Sequence, residues 1–177
     1  MIKRYLLVCL LSLALNTLAH GQVVAAGRGG AHVVAGGFVS SFSPDYGPSR
    51  LDGIGGFVDL NLHGHLGAEG EIRYLRFNQT YDVHEDNYEL GLRYRWRFAR
   101  FGRFEPYGKF LVGNGQFNFP FSYGHGGYLM LVPGAGVDYH YHRFIVRGDY
   151  EYQHWTNFQN STLSPDGFSV GLGYRVF

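Results

Sequence analysis

The sequence predicts an all-β fold: an eight-stranded antiparallel up-and-down transmembrane β-barrel. Three observations lead there. The stretch Tyr88-Glu-Leu-Gly-Leu-Arg-Tyr-Arg-Trp-Arg-Phe98 puts Tyr88, Leu90, Leu92, Tyr94, Trp96 and Phe98 on one parity. It puts Glu89, Arg93, Arg95 and Arg97 on the other. A period of two is a strand with unlike faces, and greasy outside with charge inside is the pattern of a membrane strand. The second observation is that the links between such segments alternate short and long. The third is that the chain opens with an export signal.

The elements follow in order. Lys3-Arg4, the apolar run from Tyr5 to Leu15 and the small residues of Ala19-His20-Gly21 read as a secretory signal peptide over 1–21. Cleavage is expected after Gly21, with Ala19 as the alternative. Cys9 is the sole cysteine and lies inside the signal. Val8 before it excludes a lipid-modified cysteine, so the mature chain has no thiol or disulfide chemistry. Removing Lys3 and Arg4 leaves 13 basic against 14 acidic residues, a balance that gives nucleic acid no purchase. Mean hydropathy is −0.15, which excludes a helical membrane protein. Residues 22–30 read as a short flexible lead-in, and 31–177 as one barrel domain.

Candidate strands fall at 31–42, 53–62, 66–78, 87–98, 104–118, 127–141, 144–156 and 167–177. Each covers the roughly 9–11 residues that a tilted membrane strand needs. Links after the second, fourth and sixth strands are short. Those after the first, third, fifth and seventh are long and rich in Pro, Gly, Asn and Ser. Short turns on one rim and long loops on the other is the outer-membrane pattern, with turns periplasmic and loops outside.

Alternation then assigns faces. Inward positions collect Asp59, Glu69, Glu71, Glu89, Glu105, Asp138, Asp149 and Glu151 against Arg73, Arg93, Arg95, Arg97, Lys109, Arg147 and Arg175, in near balance. Such charges can pair across a narrow lumen. Outward aromatics form two belts. Trp96, Phe98, Phe104, Tyr139, Phe144 and Tyr174 fall near the turn end; Tyr74, Tyr88, Tyr152 and Phe168 fall near the loop end. Strand one reads in either register. Pro133 sits inside strand six, where a bulge or local break is expected. Inward glycines such as Gly55, Gly91, Gly134 and Gly171 are read as room for large neighbours.

The eight-strand pattern resembles the small outer-membrane β-barrel family, the group that includes the OmpA-like transmembrane domain and OmpX. The resemblance covers nearly all of the mature chain. Its most specific piece is Gly167-Phe-Ser-Val-Gly-Leu-Gly-Tyr-Arg-Val-Phe177. In that family the last strand and its terminal aromatic are read by the barrel-assembly machinery, which the resemblance implies as a partner. The family has one residue between the tyrosine and the final Phe. Here Arg175 and Val176 intervene, and strict alternation from Phe168 turns Phe177 inward.

Eight strands enclose a lumen that side chains can fill. The charge cluster therefore reads as a structural plug, with a narrow porin-like channel for small solutes as the rival. His63 with His65, and His140 with His142, are spaced by two but lack supporting cysteines or carboxylates, so no metal is assigned. His154-Trp155-Thr156-Asn157 faintly resembles the His-x-Ser-Asn stretch of outer-membrane lipid A deacylases, with Thr in the nucleophile's place. The fold does not grant the function, and no catalytic or cofactor-binding residue is assigned. The expected protein is a monomer in the cell outer membrane. Its partners are outer-membrane lipid and, through loop residues Tyr46, Tyr81, His84, Tyr123 and His125, an unidentified extracellular ligand. A soluble barrel with a ligand cavity is disfavoured by the outward apolar belt.

Overall fold

The computed structural model describes residues 32–45, 49–78, 83–97, 102–118, 125–158 and 161–176. The expected signal and lead-in, the loop tyrosines Tyr46, Tyr81 and Tyr123, and the aromatics Phe98 and Phe177 lie outside the described residues. No helix occurs among those described. The strands are β1 His32–Ser43, β2 Leu51–His63, β3 Leu66–Phe77, β4 Glu85–Arg95, β5 Phe104–Asn118, β6 His125–Tyr141, β7 Phe144–Tyr152, β8 His154–Phe158, β9 Ser161–Leu163 and β10 Asp166–Arg175.

These make an eight-stranded closed antiparallel wall. Consecutive strands pair from β1 to β7, β7 pairs with β10, and β10 returns to β1 with Gly36 opposite Gly173. The eighth place in the wall is thus taken by β10. β8 prolongs β7 towards the loop end, and the short β9 pairs with β8. Closure removes the free edges that an open sheet would present.

Alternation holds through the wall. Val39, Ile54, Leu90, Leu92, Phe110, Phe144, Phe168 and Leu172 are each at least half exposed, whereas the intervening parity is buried. Of the two registers for strand one, the structure takes the one with Val34, Phe38, Ser40 and Phe42 inward. The inward choice lets the rings of Phe38 and Phe57 stack, with centroids 6.5 Å apart. Tyr174 and Val176 both face outward, so alternation continues to the last described residue without a slip.

Pro133 corrects one expectation. β6 runs unbroken past it, and Pro133 keeps its place opposite Phe110 of β5. The break falls on the neighbour instead. β6 pairs with β7 from Tyr141 to Gly134 and with β8 at Leu131 and Met130, and the ladder skips Val132 and Pro133. A proline lacks only the donor aimed at one side, so one ladder loses its bond and the other does not. Gln153, released at this gap, sends its backbone N–H to the Pro165 carbonyl at 2.7 Å.

The inward glycines divide. A Cβ on Gly55 would sit 2.3 Å from the Phe38 ring, so there the absent side chain does house a large neighbour. At Gly91 the obstacle is the backbone of the next strand, the Phe110 carbonyl oxygen at 2.1 Å.

Candidate functional site

The lumen holds the concentrated chemistry. β3, β4, β5 and β7 each send alternate residues inward, and a barrel this narrow brings them within reach of one another. Two charge centres result. Towards the turn end, Arg93 bonds Asp59 at 2.7 Å, Glu69 at 3.1 Å and Asp138 at 2.6 Å. Arg147 joins the same three acids, with Glu69 at 3.1 Å and Asp138 at 2.9 Å. Towards the loop end, Lys109 Nζ meets Glu69 at 3.0 Å, Glu71 and Asp149 at 2.7 Å, and Glu151 at 2.6 Å. Arg73 meets Glu71 at 2.9 Å, Glu151 at 2.7 Å and Glu89 at 3.1 Å. Glu69 and Lys109 connect the two centres.

Aromatic rings of β1, β2 and β5 support the arginines. Arg93 lies 3.5 Å from the Tyr107 ring centroid, Arg147 3.9 Å from Phe57, and Arg73 4.5 Å from Phe42. Desolvated cations over ring faces gain from the quadrupole. These rings therefore share the lumen with the charges for a physical reason.

Two carboxylate triads have their oxygens gathered within 4.8 Å: Glu69, Glu71 and Asp149, and Glu71, Glu89 and Glu151. Three converging carboxylates suit a hard cation. Each triad already surrounds a cation of the chain, Lys109 in the first and Arg73 in the second.

The other residues singled out in the sequence are spread along the barrel. Arg95 and Arg97 form a smaller group at the turn end, both on Glu105, at 3.5 and 2.8 Å. The Arg97 side chain is 47% exposed and belongs to the rim rather than the lumen. The expected near balance of inward charge is thereby corrected. The buried centre has seven carboxyl groups and four cations, because Arg97, Arg95 and Arg175 cluster at the turn end. The belt aromatics Trp96, Phe104, Phe144, Tyr152, Phe168 and Tyr174 are exposed on the outer face, and Tyr139 is partly covered by Phe104, 5.0 Å away. The His65 ring meets the Arg95 carbonyl at 2.8 Å and stacks on Tyr94. His140 approaches Glu105 at 3.7 Å. Neither sits among converging ligands. The Thr156 hydroxyl donates to the Leu129 carbonyl at 3.0 Å, an arrangement that fastens a strand and does not prepare a nucleophile.

One feature lies outside the charged-lumen expectation. The loop half of the interior adds apolar packing around the buried Glu85, Asn87 and Asn118: Val83, Leu111, Phe117, Met130, Val132, Trp155 and Leu163 form one buried cluster, and Phe42, Leu51 and Leu75 another. Trp155 is fully buried, and its indole N–H donates to Gln153 at 2.9 Å. Gln153 in turn donates to Glu89 at 3.3 Å, joining seal to plug. Parity carried on from Lys109 reaches Leu111 and Phe117, so the signal was present. The dominance of charge further down the strands masked it.

Comparison with known proteins agrees with this geometry. A family model described as an outer membrane protein beta-barrel domain matches residues 5–175. The structure is similar to the N-terminal β-barrel domain of Pseudomonas aeruginosa OprF, at 14% identity and a TM-score of 0.61, covering 82% of this chain and 98% of that one. It is similar to Neisserial surface protein A, at 13% identity and a TM-score of 0.58, covering 82% and 96%. It is also similar to Ail of Yersinia pestis, the attachment invasion locus protein, solved with the heparin analogue sucrose octasulfate, at 18% identity and a TM-score of 0.51, covering 82% and 97%. At these identities the likeness is one of fold. No curated relative matches the chain in sequence.

Proposed function

The chain belongs to the outer membrane protein β-barrel family, and on that premise we propose that it is a plugged, monomeric barrel with a structural and interactive role in the envelope. The signal at 1–21 exports it, the assembly machinery inserts it, and its long loops face outward as the contact surface. The observation that carries this reading is the filled lumen. Arg73, Arg93, Lys109 and Arg147 are each held by three or more carboxylates, and the apolar clusters close the loop end over them. A water column has no continuous path through such packing. Ail, the attachment invasion locus protein, was solved with the heparin analogue sucrose octasulfate. By analogy an external ligand of this chain would meet the loops and not the lumen.

Planar-bilayer recording tests the reading against a narrow channel. The wild type is expected to show no large steady conductance. Arg93→Ala leaves Asp59 and Asp138 to Arg147 alone, and Glu71→Ala empties the space between Lys109 and Arg73; each loosens the plug and favours entry of water, and both are expected to raise conductance. A large wild-type current that neither substitution alters would make the lumen a pore and overturn the proposal.

A further inference from the structure

Seven carboxyl groups and four cations cannot all be paired in the buried centre. The acids are Asp59, Glu69, Glu71, Glu89, Asp138, Asp149 and Glu151; the cations are Arg73, Arg93, Lys109 and Arg147. Every one is more than nine-tenths buried. Ionised carboxylates without counter-charge are costly in such surroundings, so the surplus must be met within the network. The pairing pattern shows where it falls. Glu69 has three cations, and Asp59, Glu71, Asp138 and Glu151 have two each. Asp149 has Lys109 and the Tyr107 hydroxyl, both at 2.7 Å.

Glu89 is served least. Its one cation is Arg73 at 3.1 Å, the longest of that arginine's three contacts. Its Oε1 also accepts from Gln153, while its Oε2 is buried with no hydrogen-bond partner. Oxygens of Glu71, Glu89 and Glu151 gather within 4.8 Å. The groups facing Glu89 are Glu71 and Arg73 from β3, Lys109 from β5, and Asp149 and Glu151 from β7. Gln153 and Met130 complete the enclosure. An acid this close to two other acids, with one oxygen idle, is placed to donate a hydrogen bond to one of them.

We propose that Glu89 carries a proton in the assembled barrel at neutral pH, so that the lumen is a proton-holding plug. The acid's O–H bridges to the Glu71 or Glu151 carboxylate, which lets three acids share Arg73. In alkali, hydroxide removes that proton as water and leaves a third unpaired charge in the centre. The proton leaves towards the turn end, where the side chains of His140 and Glu105 are 22% and 11% exposed, because Trp155, Met130 and Leu111 seal the loop end. This builds on the filled lumen of the proposed function, but the two fail separately: conductance decides that reading, and the carboxyl proton decides this one.

The structure supplies its own reporter. Trp155 is joined to Glu89 through Gln153, and replacing the other tryptophan of the mature chain, Trp96, by Phe isolates its emission. The Trp96→Phe barrel is refolded into phosphatidylcholine vesicles, with folding checked by heat-modifiability on a gel. Infrared difference spectra against pH should show the carbonyl band of a protonated carboxylic acid at pH 7 that disappears reversibly in alkali. Trp155 emission should move over the same pH interval. Glu89→Gln, a neutral mimic of the acid, should fold, lose that band and flatten the Trp155 response. Should Glu89→Gln not fold, Glu89→Asp should displace the band. Absence of a protonated carboxyl band in the folded parent at pH 7, or a band that Glu89 substitution leaves unaltered, overturns the proposal.

Discussion

Leu92 and Arg93 are neighbours in sequence on opposite sides of the wall. Leu92 is 56% exposed to the membrane face, and Arg93 is buried on Asp59, Glu69 and Asp138. An arginine facing mid-bilayer lipid costs about 2–4 kcal/mol. Leu92→Arg should therefore lower folding yield into vesicles well below that of Arg93→Leu, which disturbs a network but leaves the lipid face intact. Equal yields, or the reverse order, would contradict the facing. Lys109 is the more sensitive lumen position, since one ammonium serves four carboxylates. Lys109→Ala should destabilise the barrel by about 3–5 kcal/mol in urea titration, the usual cost of stranding buried partners. Lys109→Arg should not restore it, because four carboxylates already stand 2.6–3.0 Å from Nζ and leave a larger, planar head no room. At this scale the sequence was legible wherever one parity was apolar and the other charged. The uneven charge count was not, because parity says which way a side chain points and not how far along the barrel it stands.

Elements were legible in number and rough extent; their interruptions were not. The break in the seventh wall strand is caused by Pro133 in the sixth, across the ladder. Reading each strand by itself puts the damage in the strand that owns the proline. Strand one shows a second limit. Both parities between His32 and Ser41 hold small and apolar residues, and only the partner strand settles the matter, through Phe57 stacking on Phe38. The turns are simpler. The β6–β7 turn places His142 at φ 56°, a left-handed conformation that glycine occupies without penalty. The corresponding β2–β3 turn has Gly64 there, at φ 58°. His142→Gly should raise stability by up to about 1 kcal/mol in urea titration, the order of the cost of left-handed backbone for a residue with a Cβ. A loss of stability instead would mean that the edge-on contact of His142 with Tyr141, 4.7 Å between centroids, outweighs the strain.

At the scale of the whole molecule, the two ends of the lumen differ, and under the proposed topology the difference has a direction in the cell. Charge and partial exposure at Glu105, Arg97 and His140 mark the turn end. Fully buried apolar side chains, Leu111, Met130 and Trp155 among them, close the loop end. The expected route for water is therefore from the side of the short turns as far as the charge centre. Single cysteines can report this, because the only native one lies within the expected signal. With the loops outside, Ser49→Cys, on the exposed β1–β2 loop, should react with a membrane-impermeant thiol reagent on intact cells. Glu105→Cys should react only once the reagent is admitted to the periplasm, because its access runs through the turn-end vestibule. Met130→Cys should stay unlabelled from both sides until the barrel is unfolded, since apolar packing above and ion pairs below exclude the reagent. Labelling of Glu105→Cys from outside would invert the topology. Labelling of Met130→Cys in the folded barrel would break the seal, and with it the reason the charge centre stays dry.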